Sequence, residues 1–121
     1  MAGTINTTIN VNVQNDEFSY NHSSNESIVQ TGIGRYGHVQ TIGTSEEVLD
    51  FGDVGTEGYC YLKNLDDENF VSYGPESTGA MVAGCRLGPG EEAWLRLEPS
   101  VVWRAQADTA AVQLQVDLFE D

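Results

Sequence analysis

The sequence predicts an all-β protein: an antiparallel β-sandwich, jelly-roll-like or barrel-like, preceded by an extended N-terminal arm or hairpin. Three observations lead there. Apolar and polar residues alternate with period two along most of the chain. From residue 36 onward, strand-like stretches recur every roughly 8–12 residues, the rhythm of a sandwich or barrel. Clusters of Gly, Pro, Asp and Asn separate those stretches. At 121 residues the chain fits one core-forming domain. Folding a chain of this size removes about two thirds of its surface from water, enough for a core without staples.

Residues 1–31 read as the arm. Ile5, Thr7, Ile9, Val11 and Val13 alternate with Asn6, Thr8, Asn10 and Asn12, a half-buried strand with its β-branched residues on one face. A turn near "QND" follows, then a short second strand in which Phe18, Tyr20 and His22 alternate with Ser19 and Asn21. "SSNES" is polar. Core-sized side chains are few here, so the arm needs something to lie on, either its own body or a neighbouring subunit. Ile5, Ile9, Val11 and Val13 are the candidate arm interface.

Residues 32–121 read as the body. "TGIGRYGHVQ" at 31–40 holds Gly32, Gly34 and Gly37 in a G-x-G-x-x-G spacing. A dinucleotide loop needs a buried strand before it and a helix opening on it. Here an Asn/Ser-rich arm precedes it, and "HVQTIGTS" alternates like a strand. Gly32 and Gly34 are therefore read as the arm–body joint, where positive φ lets the chain turn. Gly37 is read as a bulge or a close backbone approach.

The body strands are expected at 36–43, 46–51, 58–64, 69–73, 80–87, 92–98, 101–106 and 111–119. "GDVGTEG", "LDDEN", "GPESTG", "GPGE", "EPS" and "ADTA" lie between them as turns. "SEEVLDF" is the one helix candidate, with Ser45 as cap, and is too short to stand alone. In the last strand Val112, Leu114, Val116 and Leu118 should face the core. Gln113, Gln115 and Asp117 should face water or a partner. Tyr59 and Tyr61 share a face opposite Cys60 and Leu62, and form a possible partner face. Trp94 and Trp103 sit in apolar contexts that favour packing in the core or an interface.

Nineteen acids against five bases give a net charge of −14. Such a chain repels nucleic acid, whose binding rests on Lys and Arg, and it lacks a basic patch for anionic membranes. The charge suits solubility, or a match to a more basic protein surface. No stretch approaches the ~18 apolar residues of a membrane helix. The start "MAGTINTTINVNVQN" has no basic or apolar leader region, so no secretory signal is expected. Cys60 and Cys85 fit neither a zinc nor a C-x-x-C pattern and are read as buried free thiols. The N-x-S/T matches at Asn6, Asn21 and Asn25 are by-products of an Asn/Ser/Thr-rich arm.

Chemistry-bearing motifs are weak. "DFG" at 50–52 has no kinase context. "NLDDEN" at 64–69 has oxygens without the spacing of a calcium loop, and reads as a solvated turn. His22 and His38 accompany no nucleophile elbow or H-E-x-x-H motif, and His38 reads as a surface or packing residue. No catalytic, metal or cofactor residue is assigned, and no cofactor is expected.

Three phrases together resemble a known group. "QTIGTSEEVLDFGDVGTEGYCYLKNLDDENFVSYGP", "CRLGPGEEAWLRL" and "WRAQADTAAVQLQVDLFED" are similar to small β-rich structural proteins encoded in the virion gene clusters of tailed bacteriophages. The likeness covers roughly residues 36–121 and lies in strand phrases rather than a catalytic motif. It implies a non-enzymatic virion component, a capsid decoration or cement protein or a head or tail accessory. Such a protein is made in the host cytoplasm and ends in the virion. The implied partners are the major capsid protein or other virion proteins, and further copies of itself, with a trimer the favoured assembly. A glycan- or host-surface-binding module of a capsid or tail fibre is the alternative.

Overall fold

The computed structural model describes residues 3–121, and no helix occurs among them. The chain separates into two compact units, 1–33 and 34–121. The first is one antiparallel hairpin, β1 (Gly3–Gln14) and β2 (Ser19–Gln30), in unbroken register from Gly3↔Gln30 to Gln14↔Ser19. Asn15 sets the turn. Its side-chain oxygen accepts the backbone N–H groups of Glu17 and Phe18 at 2.8 and 3.0 Å, and its own N–H reaches the Phe18 carbonyl. The second strand is longer than the sequence suggested. "SSNES" continues it: Ser23, Asn25 and Ser27 pair with Asn10, Thr8 and Asn6 on one face of the ribbon, while Ser24 and Glu26 lie opposite Ile9 and Thr7 on the other.

The second unit holds nine strands: β3 (Arg35–Ile42), β4 (Glu47–Val48), β5 (Glu57–Asn64), β6 (Val71–Ser77), β7 (Ala80–Met81), β8 (Cys85–Leu87), β9 (Glu92–Arg96), β10 (Trp103–Ala107) and β11 (Val112–Glu120). One sheet runs β3-β11-β5-β9. The other runs β4-β10-β6, with β7 and β8 both pairing β6. All pairings are antiparallel. Outside the β6–β7–β8 run, each strand passes to the other sheet. With β7 set aside, eight strands divide between two four-stranded sheets in the order of a jelly roll, as the sequence predicted in outline.

The sheets share one core, since residues of both are buried in a single cluster. Val112, Leu114, Val116 and Leu118 of β11 are buried as their alternation required. Cys60 and Leu62 join them from β5. From the other sheet come Val71 and Tyr73 of β6, Leu87 of β8, and Ala105 and Ala107 of β10. Ala105 pairs with Tyr73, so a small residue makes space for a ring.

Four details depart from the sequence reading. "GPES" is strand, not turn: β6 runs through Pro75, and the reversal falls at Thr78-Gly79, with φ of 53° and 81°. Two successive positive φ values are what a two-residue hairpin turn requires. The predicted strand 80–87 is broken at Val82–Gly84. There the Val82 carbonyl presses against Gly74 so closely that a β-carbon at 74 would overlap it. The strand expected at 46–51 shortens to Glu47–Val48, paired with β10, and the lesser candidate, a helical turn at "SEEVLDF", does not form. Cys85 is exposed, whereas Cys60 is buried as expected. Both are free thiols, and burial pushes the Cys60 thiol up to about 12.

Two of the crossings between sheets are held by one buried polar side chain. Asn64 is fully buried at the end of β5. Its amide nitrogen donates to the carbonyls of Asn69, Leu87 and Gly88 at 2.9–3.2 Å. Its side-chain oxygen accepts Asp66 N–H at 3.0 Å. Its backbone bonds Glu91 and Gly90. One residue therefore ties the β5–β6 crossing to the β8–β9 crossing. Asn64→Ala leaves buried carbonyls without donors, so we expect a loss of about 2–4 kcal/mol with an unchanged m-value in urea unfolding. Asn64→Asp, similar in shape but without the donors, should lose as much.

Candidate functional site

Two surfaces stand out. The first is a face of the hairpin. Directly opposed residues of an antiparallel pair share a side. The register therefore puts Ile5 beside Ile28, Thr7 beside Glu26, Ile9 beside Ser24, Val11 beside His22, and Val13 beside Tyr20. The four predicted interface residues thus lie on one face, joined by Ile28, Tyr20 and His22, with the Tyr20 and His22 rings stacked at 6.5 Å. Ile9, Val11, Val13 and Tyr20 are 38–50% exposed. The opposite face is Asn, Ser, Thr and Gln apart from Val29, and there Ser27 donates to Asn6 at 2.7 Å.

The second surface is the outer side of the β3-β11-β5-β9 sheet. Tyr59 and Tyr61 are half-buried on it. Trp94 lies on the same side rather than in the core, its ring stacked on Tyr59 at 5.1 Å and 7° and tilted against Phe119 at 6.0 Å. Guanidinium groups complete the row. Arg96 lies 5.1 Å over the Tyr59 ring, and Arg35 6.0 Å over Phe119. Arg96 also pairs with Asp121 at 2.8 Å, and Arg35 with Asp117 at 3.5 Å. The result is a rigid ridge of Arg, Tyr, Trp and Phe, the side chains enriched in interface hot spots. Trp103, by contrast, packs against the core.

The glycines serve close approach. Gly34 is not in the left-handed region as expected; its N–H donates to the Glu120 carboxylate at 2.7 Å, and a β-carbon there would lie 2.8 Å from that oxygen. Gly37 sits in a regular register rather than a bulge, and a side chain there would overlap the Asp117 carboxylate beside Arg35. Gly32 lies at the end of the hairpin unit, one residue before the division at 33/34.

Other polar groups turn inward on the chain itself. In "NLDDEN", Asp66 accepts the N–H groups of Asn69 and Glu68, and these bonds hold its carboxyl below the usual range. Asp50 of "DFG" accepts Gly52 N–H at 2.9 Å and lies 3.4 Å from the Tyr36 hydroxyl, beside an open pocket of about 530 Å³. The Asp50 charge raises the Tyr36 pKa. His38 packs on Tyr36 at 4.7 Å. No group of acidic, His and Cys side chains among the described residues is arranged to hold a metal ion.

The sequence pointed to Tyr59 and Tyr61 and left Trp94 between core and interface, but missed Phe119, Arg35 and Arg96 beside them. Only the sheet order brings these together, and that order joins strands far apart in the chain. Ile28, Tyr20 and His22 were within reach, because a turn closed by Asn15 and Phe18 fixes the hairpin register.

The chain matches no protein family, no curated protein and no solved structure at a significant level.

Tyr61 offers a check on the outer face. Its hydroxyl donates to the Glu92 carboxylate, and that bond pushes its pKa up to about 12. The raised value means that this contribution to stability is complete below pH 10 and is lost as pH rises through about 12. Glu92→Gln should return the Tyr61 titration toward 10, as read from its ring resonances by NMR.

Proposed function

We propose that this protein is a non-enzymatic structural component of a bacteriophage virion. The best-supported role is a capsid decoration or cement protein that binds and stabilises the shell through its hairpin and one face of its body. The observation that carries this reading is the long two-stranded hairpin with an exposed β-branched and aromatic face. A two-stranded ribbon is marginal in water by itself, and an amphipathic one gains its stability when its apolar face is covered. The ridge of Tyr59, Trp94, Phe119 and two arginines adds a second surface of contact-rich composition. Jelly rolls recur in viral capsid and lectin domains, which supports the reading at the level of fold alone. The implied partners are the major capsid protein or other virion proteins.

The alternative, a glycan- or host-surface-binding module of a capsid or tail fibre, draws on the half-exposed Tyr59–Trp94 pair. A sugar stacks on the face of a ring, and these two faces are turned toward each other. That favours a protein partner.

The test is incorporation into particles. A chain lacking residues 1–33 should keep the body fold by circular dichroism and yet be lost from purified virions. Normal occupancy without the hairpin would sink the proposal, and specific hits on a glycan array with no shell binding would favour the alternative.

A further inference from the structure

We infer that the free edge of β3 accepts an extended strand of a basic partner protein, with a Lys or Arg of that strand entering the pocket beside Tyr36. This goes beyond the virion reading and rests neither on it nor on the hairpin.

The backbone of β3 supplies the first argument. Strand β3 pairs only with β11. The Glu120 N–H donates to the Gly34 carbonyl, and the regular register carries that phase along the ladder. Tyr36, His38, Gln40 and Ile42 therefore exchange their bonds with β11. The N–H and C=O groups of Arg35, Gly37, Val39 and Thr41 point the other way. None of these groups has a partner among the described residues. The other edges of the body are short or charged. Strands β4 and β7 have two residues each, β8 has three, and β9 has five with Glu92 and Arg96 at its ends. Strand β3 runs for eight residues without Pro, Lys or a bulge, and Val39 on it is 52% exposed. Those are the features of an edge to which another strand can add.

The pocket selects the strand. Directly opposed residues share a side of the sheet, so an added residue opposite Tyr36 sends its side chain toward the pocket of about 530 Å³. Tyr36 and Val54 offer apolar walls for a long aliphatic stem. Asp50 and Asp53 supply charge. Asp53 bonds to no described residue, and Asp50 keeps acceptor capacity beyond the Gly52 N–H and the Tyr36 hydroxyl. Both charges, Asp50 the more, act on the Tyr36 hydroxyl, so they face one space. Arg35 lines the same pocket but turns its guanidinium to Asp117 and Phe119 on the outer side of the sheet.

A strand of this same chain fits poorly. The hairpin has no Lys or Arg, and Arg35, Arg96 and Arg104 already pair with acids. Two copies at −14 also repel each other, whereas a basic chain is drawn in by the same charge.

The experiment uses the full chain, isotope-labelled for NMR, and four blocked eight-residue peptides of alternating Thr and Val. The peptides differ in one central residue, which is Lys, Arg, Ser or Glu. The Lys and Arg peptides should shift the amide resonances of Arg35, Gly37, Val39 and Thr41 and slow their hydrogen exchange. The exchange of Tyr36, His38 and Gln40, already bonded to β11, should change little. The Glu peptide should bind at least about tenfold more weakly than the Lys peptide. Val39→Pro removes an outward N–H without touching the β11 ladder, a change that edge strands tolerate, and should abolish binding. Asp53→Lys should reverse the order of the Lys and Glu peptides. Near-ultraviolet circular dichroism confirms folding of both variants. No binding by any of the four peptides overturns the inference. So does binding of the Lys peptide that shows no alternation along β3, that the Glu peptide equals, or that survives Val39→Pro.

Discussion

Asn64 is the residue on which the body depends. A jelly roll sends its chain from sheet to sheet at almost every connection, and each crossing exposes backbone groups that neither sheet can satisfy. At the ends of β5 and β8 those groups are buried or partly buried, so water serves them poorly. A carboxamide can, because it offers donors and an acceptor within one small planar group. The Asn64 nitrogen takes three carbonyls and its oxygen takes an N–H. Neither a hydrophobic residue nor a carboxylate supplies both roles. The packing of Leu62, Val71 and Leu87 presupposes this link, since it fixes where their strands cross.

The acidic residues extend the same solution to the surface. Glu46, Glu47, Asp50, Glu57, Asp66, Glu91 and Glu120 each accept a backbone N–H, nearly all in loops or at strand ends. Read from composition, the −14 charge suggests solubility or a match to a basic surface, and says nothing of the loops. In the fold much of it holds the loops of a strand-rich body together. A carboxylate is the strongest ordinary acceptor for a loop N–H, and loops that must bend without helices have many such groups to satisfy. Acidity and jelly-roll topology are therefore linked by hydrogen bonding as well as by solubility.

The sequence made local facts legible and distant ones opaque. The alternation of Val112, Leu114, Val116 and Leu118 predicted burial because period two is a property of one strand. Strand β6 was misread because Pro75 and Gly74 look like a turn. Gly74 is needed instead for the close approach of the Val82 carbonyl, a contact created by β7 and β8 folding back. Asn64 looked like part of a polar tip, since nothing in "NLDDEN" reveals that Leu87 and Gly88 will lie against it. Trp94 stood between core and interface because its neighbours Leu95 and Leu97 are apolar. Alternation sends those two inward and the tryptophan outward, and only the pairing with β5 sets the direction.

The hairpin poses the opposite problem. The body has a buried cluster and satisfied crossings, so its stability has identifiable internal sources. The hairpin has backbone ladders, one Asx-type turn and surface pairs, with no fully buried side chain among its described residues. Backbone hydrogen bonds exchange for bonds to water and add little net free energy. Ordering twelve residues in each strand costs on the order of 1–2 kcal/mol per residue. A ribbon of this length needs apolar burial to offset that cost, and its own two strands cannot bury the face they create. Ile5, Ile9, Val11 and Val13 are the residues that the proposed role would bury. Under the proposed role, covering that face and ordering the ribbon would be one event.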